Sequence, residues 1–331
     1  MYKLILAAAL ATLVGFSLYK MSVSGPAVRD DHIDRMMFNQ WLMQNGKSYG
    51  NDDEKEYRYQ NFKVNIEIVE SNTSDSYELG LNQFADLNEE EFIAQNTGFE
   101  NLLGEEEKNY VSLENIEAPS SKDWVSLGKV NSVQNQGSCG SCWAFSATAA
   151  LETRYALDRG SLPKFSEQAL VDCGRETGNN GCSGGLMGSA FKWSARHGMA
   201  SSRDYPYTAR NGTCRISSKR VTHVNTSYSY VQRNNNSELV RAISQSVISV
   251  AIAANRIQLY RGGIFNNWGC GTQLNHGVAA VGYGQSGGKM FYKVRNSWGS
   301  GWGEGGYIRM ERRSSGTGIC GITMQASYPT S

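Results

Sequence analysis

Three features that would place the chain in another functional class are missing from this sequence. Beyond its N-terminus it has no apolar run of the roughly 20 residues that a membrane helix needs. It also has no basic motif interleaved with aromatic residues and no second close cysteine pair to complete a zinc site. We therefore expect no stable membrane insertion, no nucleic-acid partner, no metal and no cofactor. The 331 residues, 40% of them hydrophobic, suit a globular protein with a large core.

Residues 1–25 have the pattern of a secretory signal peptide. Lys3 precedes an apolar stretch at 4–18, which is short for a membrane helix, and small residues follow at 22–25. Export predicts the secretory pathway, with a lysosome or vacuole or the extracellular space as destination, and an oxidising environment for the cysteines. Four asparagines lie in Asn-x-Ser/Thr acceptors for glycans: Asn72, Asn211, Asn225 and Asn235.

The near-zero net charge of +1 conceals a division of the chain into an acidic and a basic part. Residues 26–117 contain 7 Lys and Arg against 21 Asp and Glu, whereas residues 118–331 contain 23 against 10. Opposite charges within one chain predict that the two parts dock on each other. Acid would protonate the carboxylates, so we expect low pH to weaken this contact.

The acidic part shows helical periodicity first and loses it later. Apolar residues recur at helical spacing in 33–42 and again in 59–69, which predicts two helices. Residues 80–86 are expected to be extended, and residues 87–92 read as the acid-rich start of a short helix. The remainder up to Glu117 reads as a polar linker.

The chemistry is expected at Cys142, which lies in the run QGSCGSCWAF at residues 136–145. It is the one of seven cysteines without a plausible bridge partner, and a free thiol in an exported protein indicates reactivity. Residues 142–158 read as a helix whose first turn carries this sulfur. Unpaired backbone N–H groups there favour a negative sulfur, and the thiolate is the nucleophilic form.

His276 is the strongest candidate for a base that would act on this thiol. The other histidines read as structural or exposed; they are His32, His197 and His223. His276 begins a run of β-branched and small residues that predicts a strand, where a histidine alone would be an ordinary core residue. However, Asn296 can hold the imidazole, and Trp298 supplies an indole that can cover their hydrogen bond.

Together these residues resemble those of papain-family cysteine proteases, closest in character to cathepsin L. The CGSCW run, a histidine 134 residues after Cys142 and an asparagine 154 residues after it follow that family's spacing. The resemblance extends from about Asp30 to Pro329. It implies an α+β, papain-like fold with a helical lobe at about 118–227, a β-barrel-like lobe at about 228–331 and an active-site cleft between them.

The same resemblance implies a role for each candidate residue. Cys142 would be the nucleophile, His276 the general base and then acid, and Asn296 the residue that orients its ring. Gln136 would donate its side-chain N–H to the oxyanion, together with the backbone N–H of Cys142. The chain would be a cysteine endopeptidase that acts through a thiolate–imidazolium pair and an acyl-enzyme intermediate. Its partners would be polypeptide substrates and protein inhibitors of the cystatin type, and it would be a monomer.

Residues 26–117 resemble an inhibitory propeptide, which implies a zymogen with its catalytic domain at 118–331. The first propeptide motif matches at Glu54, Arg58, Phe62 and Asn65 and departs at Val69 and Thr73, while the second matches at Gly80, Asn82, Phe84 and Asp86. The segment after these motifs is implied to run through the cleft in the direction opposite to substrate. It would block the cleft as an intramolecular inhibitor.

The six other cysteines allow many pairings, and sequence alone does not choose among them. The resemblance selects Cys139–Cys182, Cys173–Cys214 and Cys270–Cys320. It also implies a substrate-binding surface made of Gly184, Gly185, Leu186, Met187, Ala251, Leu274, Gly277 and Trp298, with Gln325 at the floor of one pocket. That pocket would take the second residue before the cut, called P2. Because its wall is apolar, we expect a hydrophobic P2 residue.

Two other functions are compatible with parts of the sequence. Cys139 and Cys142 have the Cys-x-x-Cys spacing of a redox dithiol, although no βαβ pattern surrounds them. An inactive relative could instead act as a binding or inhibitor protein, although such proteins commonly lose the nucleophile or the base. All four catalytic positions are filled here.

Overall fold

The computed structural model describes residues 30–99, 110–313 and 315–331, so the predicted signal peptide lies outside the described residues. The chain divides into two compact units after Lys55. The first unit holds helix α1, Asp31–Asn45, which begins where the Asp30 side chain accepts a hydrogen bond from His32 N at 2.9 Å. It ends at Gly46, whose left-handed conformation closes the helix.

Six further helices follow α1 in the described residues. They are α2, Asp52–Glu70; α3, Glu89–Asn96; α4, Cys142–Arg159; α5, Glu167–Cys173; α6, Met187–His197; and α7, Asn236–Gln245. Short 3₁₀ turns lie at Gly174–Thr177, Gly181–Ser183, Ile216–Ser218, Trp268–Cys270 and Ile319–Gly321. None of the described helices combines the length and the hydropathy needed to cross a bilayer.

The strands are short, and most of them come late in the chain. They are β1, Tyr77–Leu79; β2, Tyr110–Val111; β3, Lys122–Asp123; β4, Met199–Ala200; β5, Val221–Thr222; β6, Ser227–Val231; β7, Ile248–Ile252; β8, Tyr260–Phe265; β9, His276–Ser286; β10, Lys289–Arg295; β11, Tyr307–Glu311; and β12, Ala326–Thr330. One sheet has the order β1-β8-β11-β10-β9-β7-β12-β6-β2, with β3 paired to β9. Its neighbours are antiparallel except the pairs β11–β8 and β6–β2. Helices α4 to α6 precede most of this sheet, which is the segregation typical of an α+β fold.

Helix α4 packs against the central strand β9, and this contact fixes the position of the candidate site. The alanine- and serine-rich first half of α4 is fully buried, because small side chains let the helix approach the sheet closely. Ser146 Oγ donates to Val278 O at 2.7 Å, and Ser249 Oγ donates to Ser146 O at 3.0 Å. The helix ends at Gly160 in the left-handed conformation.

Strand β9 is buried from His276 to Gly284 because other elements cover both of its faces. A Cβ added to Gly282 would lie 2.3 Å from Lys122 O of β3, a separation that side chains do not tolerate. The neighbouring backbone therefore requires a residue without a side chain at this position of β9.

Three disulfides cross-link the chain after residue 118. They join Cys139 to Cys182, Cys173 to Cys214 and Cys270 to Cys320, the pairs that the resemblance implied. The bridged residues are 41 to 50 positions apart, and closing such a loop is worth about 4 kcal/mol per bridge in the chain-entropy description. Cys142 is free and buried. Because Cys139 is bonded to Cys182, it forms no redox pair with Cys142.

The stretch between β1 and α3 forms turns rather than the predicted extended segment. Backbone hydrogen bonds from Ala85 N to Asn82 O at 3.1 Å and from Leu87 N to Phe84 O at 3.0 Å close these turns. The buried Asn65 of α2 donates to Ala85 O at 2.8 Å and to Leu87 O at 2.9 Å. The side-chain amide of Asn65, which is distant in the sequence, therefore determines the conformation of these turns. The local sequence pattern does not contain this information.

The polar linker predicted up to Glu117 is wrong for its described part. Tyr110–Val111 forms strand β2, which pairs in parallel with β6, and the Tyr110 ring centroid lies 6.1 Å from that of Tyr230. Leu113 N donates to Glu238 Oε2 at 2.8 Å. Segments from before residue 118 thus pair with both ends of the sheet, through β1 at one end and β2 at the other.

Among the described residues, ion pairs contribute little to the predicted docking of the acidic part on the basic part. Arg256 pairs with Glu89, and Lys289 with Asp75, each at 3.4 Å between exposed side chains, where such pairs are worth less than about 1 kcal/mol. The buried Gln258 instead donates to two main-chain carbonyls of the turn segment, both at 2.9 Å. Neutral hydrogen bonds and apolar contacts therefore hold the interface, and release by acid stays a prediction.

Candidate active site

Cys142 lies at the first position of α4, with its sulfur buried where the helix meets β9. The backbone N–H of Gly277 donates to Cys142 Sγ at 3.3 Å. Burial raises the pKa of Cys142 to about 12, while backbone N–H groups of Gly277, Trp143 and Cys142 oppose that rise. The helix start therefore supplies the predicted stabilisation of a negative sulfur, but burial outweighs it in this state.

His276 is the first residue of β9, and its two ring nitrogens have different surroundings. Nε2 lies 2.8 Å from Asn296 Oδ1, so Nε2 carries the hydrogen and donates it. Asn296 Oδ1 also accepts from Ser297 N at 2.8 Å, which fixes the amide orientation. Nδ1 is buried and has no hydrogen-bond partner in the described part of the chain. It is therefore the ring nitrogen available to take a proton.

Trp298 covers this pair as the sequence predicted. Its ring stacks on His276 with centroids 4.6 Å apart and planes 23° from parallel. Phe84 and Phe92, from the segment before residue 118, meet the indole edge-on at 5.8 and 5.0 Å. The imidazole is thus shielded from water on its indole side, and the indole is itself covered.

The buried site favours the uncharged thiol and imidazole over the predicted thiolate–imidazolium pair. Burial lowers the pKa of His276 to about 4, against the opposing effect of the Asn296 hydrogen bond. The pKa of Cys142 moves in the other direction for the same reason. Residues 98–99 lie against Asn275, which precedes His276, and Gly98 lies against Gly140, close to Cys142 in the chain, so we expect the departure of this segment to favour the charged pair.

The side-chain N–H groups of Gln136, the predicted oxyanion donor, are occupied by two backbone carbonyls. Nε2 donates to Cys139 O at 2.9 Å and to Asn96 O at 3.2 Å. Ser297 Oγ donates to Gln136 Oε1 at 2.6 Å and so fixes which end of the amide carries the hydrogens. Trp298 Nε1 also donates to Asn96 O, at 3.0 Å. A carbonyl from the acidic part therefore occupies the donor that a substrate oxygen would use.

The next residues of the acidic part pass directly over the site. The backbone N–H groups of Gly98 and Phe99 donate to Asn275 O at 3.1 and 2.9 Å, and Gly185 N donates to Gly98 O at 2.9 Å. Phe99 pairs with Gly185 as a parallel bridge. A Cβ on Gly98 would lie 2.3 Å from Gly140 O, so only glycine permits this approach. The bare backbone predicted at Gly185 does accept an extended segment.

Most of the residues predicted for the P2 pocket adjoin one another. Ala251 faces Gly277 across the β7–β9 pair, and Ala251 N donates to Gln325 O at 3.0 Å. Met187, at the start of α6, also lies beside Gly277, because a Cβ on Gly277 would be 3.1 Å from Met187 Sδ. Leu186 is buried, and Leu274 is partly buried. Gly184, which precedes Gly185, has a φ of 118°. Gln325 is buried, with 7% of its surface exposed.

The predicted glycan at Asn225 is wrong because the side chain is buried and fully used. Its amide donates to Phe191 O and Ser227 O, both at 3.0 Å, and its oxygen accepts from Ser194 Oγ at 2.9 Å. Asn235 is half-buried and caps α7, Asn72 is half-buried and donates to Tyr77 O, and Asn211 is exposed. Asn211 is the most exposed of the four, although its Oδ1 accepts from Cys182 N at 2.8 Å.

Sequence reasoning missed three residues that act on this site through long-range hydrogen bonds. Ser297 fixes the Gln136 amide, Gln258 binds the turn segment, and Tyr207 donates to Gln136 O at 2.7 Å. Ser297 stands between Asn296 and Trp298, so its place in that run was a usable signal. Nothing local in the sequence marks the other two.

Two known protein families match different parts of this chain. Residues 118–330 match the family described as papain family cysteine protease, and residues 38–92 match the cathepsin propeptide inhibitor domain (I29). The chain is 43% identical to ananain from Ananas comosus over 313 residues, covering 91% of this chain and 90% of ananain. It is 42% identical to fruit bromelain from the same plant over 316 residues, covering 92% and 89%.

Solved structures of precursors share the fold. The recombinant stem bromelain precursor has a TM-score of 0.81 at 43% identity, covering 90% of this chain and 99% of that chain. Digestive procathepsin L 3 of Tenebrio molitor has a TM-score of 0.82 at 37% identity, also covering 90% and 99%. The predicted papain-like fold with an N-terminal propeptide is confirmed.

We predict that Gly98→Ala will loosen the covering segment. The added methyl would overlap Gly140 O, and overpacking of about 1–3 kcal/mol corresponds to a roughly 5- to 150-fold larger open fraction. The measurement is the rate at which a thiol-directed protease probe labels the full-length band at pH 7. Gly50→Ala is the matched control, because a Cβ there meets nothing closer than 3.9 Å. Equal labelling of the two variants would contradict the prediction.

We also predict that the pH dependence of Cys142 alkylation differs between the covered and the processed chain. With the pKa of Cys142 raised to about 12, the thiolate fraction in the covered chain rises about tenfold per pH unit up to at least pH 9. After removal of the covering segment the burial penalty falls, so the rate should level off at a lower pH. Iodoacetamide alkylation followed by mass spectrometry measures both profiles. Superimposable profiles would show that the segment does not alter ionisation.

Proposed function

Because the chain belongs to the papain family of cysteine proteases and is made as a proenzyme with a cathepsin-type inhibitor propeptide, we propose that it cuts polypeptides through Cys142 and His276. The observation that carries this assignment is the state of the His276 ring. Its Nε2 is fixed by Asn296 Oδ1 at 2.8 Å, and its buried Nδ1 has no hydrogen-bond partner among the described residues. The N–H of the next residue, Gly277, donates to Cys142 Sγ at 3.3 Å and so places the sulfur near this ring.

In the proposed reaction the proton of the Cys142 thiol moves to His276 Nδ1, and the thiolate attacks the scissile carbonyl carbon. The oxyanion accepts hydrogen bonds from Gln136 Nε2 and Cys142 N. The imidazolium then gives its proton to the leaving amine, which departs and leaves a thioester on Cys142. His276 next takes a proton from water, the hydroxide attacks the thioester, and the sulfur leaves as thiolate. Asn296 keeps Nε2 as the donor throughout, and Trp298 shields that bond.

We propose the division of the chain at residues 26–117 for the propeptide and 118–331 for the catalytic domain, with maturation close to Ala118. The two family matches, at 38–92 and 118–330, support it. Within the catalytic domain we keep the helical lobe at about 118–227 and the β lobe at about 228–331. The parallel bridge of Phe99 to Gly185 supports a propeptide that runs opposite to substrate, because substrate strands would then pair in the antiparallel sense.

We further propose passage through the secretory pathway to a lysosome or vacuole or to the outside, glycosylation at Asn211, a monomeric state and sensitivity to cystatin-type inhibitors. The signal-like residues 1–25 and the three disulfides support an oxidising compartment. The exposure of Asn211 supports its modification.

Substitutions at the catalytic residues test the assignment. Cys142→Ala should abolish peptide hydrolysis and labelling by an epoxide probe. Asn296→Ala should lower kcat/KM about 5- to 150-fold, because an unpaired Nε2–H costs about 1–3 kcal/mol. His197→Ala is the control, since that imidazole lies at the surface beside Glu176, and it should keep the parent kcat/KM. Hydrolysis that survives Cys142→Ala would reject the function and favour an inactive relative or a different nucleophile.

A second experiment tests the proposed hydrophobic P2 preference. With Gln325 at the pocket floor, Phe-Arg and Leu-Arg dipeptide substrates should be cut faster than Arg-Arg. Gln325→Glu should raise the relative kcat/KM for Arg-Arg about 10- to 100-fold, because a charged hydrogen bond is worth about 1.5–3 kcal/mol. Gln245→Glu, an equal change on the exposed end of α7, should leave the order unchanged. A parent enzyme that prefers Arg-Arg would show the pocket assignment to be wrong.

A further inference from the structure

Ser141 stands at the N-cap of α4, yet its side chain does not cap the helix. Serine is among the most favoured N-cap residues because its oxygen accepts from the N–H groups of the first turn. The same chain shows the ordinary behaviour at α5, where Ser166 Oγ accepts from Ala169 N at 3.0 Å. Ser166 has an extended backbone with a ψ of 113°, whereas Ser141 has a ψ of 15° and so lacks the conformation from which a serine caps a helix.

The Ser141 hydroxyl is engaged elsewhere, by Tyr207. Ser141 Oγ lies 2.7 Å from Tyr207 Oη, and Tyr207 Oη lies 2.7 Å from Gln136 O. A carbonyl can only accept, so the single phenol hydrogen goes to Gln136 O and Ser141 donates to Tyr207. Ser141 Oγ has Cys139 O as a second, longer contact at 3.4 Å. One phenol thus joins both ends of the segment 136–141.

The position of Tyr207 is itself well fixed. Its ring meets Phe145 of α4 edge-on, with centroids 4.8 Å apart. Burial raises the pKa of Tyr207 to about 12, so the phenol remains a donor over the working pH range of an enzyme. Gln136 is held on its other side as well, because Gln136 N donates to Ser297 O at 2.8 Å.

Two consequences for the chemistry follow from this bridge. Ser141 directly precedes Cys142, whose backbone N–H is one of the two donors assigned to the oxyanion. The main chain of Gln136 is held on both sides, so its side-chain amide projects from a fixed point. Both donors assigned to the oxyanion therefore depend on the same hydroxyl.

We propose that Tyr207 is a positioning residue for this hydrolysis: its hydroxyl holds Ser141, which precedes Cys142, and the backbone of Gln136. The proposal rests on the proposed function, because it concerns the donors to the oxyanion. Tyr207 touches neither the substrate nor the sulfur in this assignment, and it acts through Ser141 and Gln136.

The test is Tyr207→Phe in the processed enzyme, which keeps the ring and removes the hydroxyl. We expect kcat to fall about 5- to 20-fold with KM changed less than about twofold, because the affected donors act mainly in the transition state. We expect the pH profile for iodoacetamide alkylation of Cys142 to stay that of the parent, because alkylation needs no oxyanion donor and reports on the thiolate alone.

The variant Ser141→Ala separates the two contacts of the phenol. It removes the bond between Ser141 and Tyr207 but leaves the bond from Tyr207 to Gln136 O, so the fall in kcat should be smaller than in Tyr207→Phe. Tyr205→Phe is the control for stability: its buried hydroxyl donates to Asp172 Oδ2 at 2.7 Å, away from the site, and its loss should lower Tm but leave kcat and the alkylation profile unchanged.

A parent-like kcat in Tyr207→Phe would overturn the proposal and leave the proposed function intact. A loss of kcat that matches the fall in Tm, and that Tyr205→Phe reproduces, would also overturn it, because the role would then be structural. Failure of the function itself gives a different result, namely hydrolysis that persists in Cys142→Ala.

Discussion

The contact between Gly277 N and Cys142 Sγ, at 3.3 Å, joins the first residue of α4 to the second residue of β9. It brings a sulfur from the helical part next to a histidine from the sheet. The approach requires position 277 to lack a side chain, since a Cβ would lie 3.1 Å from Met187 Sδ and 3.3 Å from the backbone of Trp143. A bulkier residue would push the strand from the helix and separate His276 from Cys142. Hydrogen bonds of Ser146 and Ser249 at the same contact between α4 and the sheet also keep the helix close to β9.

Covering this contact inhibits the enzyme in two physically separate ways. The carbonyl of Asn96 occupies the side-chain donor of Gln136, so no substrate oxygen can be placed there. Burial also raises the pKa of Cys142 and lowers that of His276, which removes the charges that the chemistry uses. Because hydrogen bonds and aromatic contacts hold the segment in place more than surface ion pairs do, both effects persist where salt screens charge. Release of the segment restores access and ionisation together.

The sequence was most informative where chemistry and local structure coincide. Cys142 at a helix start and His276 at a strand start could be predicted, because each combines a reactive side chain with a recognisable local pattern. The roles and the disulfide pairs came from resemblance, since spacing does not determine which cysteines meet. Errors arose where a distant partner decides the outcome. Strand β2 needs the edge of β6, the turns before α3 need Asn65, and the Asn225 acceptor motif takes no account of burial.

The two serines that precede α4 and α5 show why the other details of the site could not be predicted from the sequence. Ser141 and Ser166 have the same residue type at the same helix position, so the local sequence predicts a cap for each. Ser166 caps α5 from an extended backbone, while Ser141 has a ψ of 15° and is bonded to a tyrosine 66 residues away. Local propensity is equal for both, so the difference comes only from tertiary structure. An N-cap serine that leaves its helix uncapped forgoes about 1 kcal/mol of local stability, and in this chain it does so at the one helix whose first turn carries the reactive sulfur.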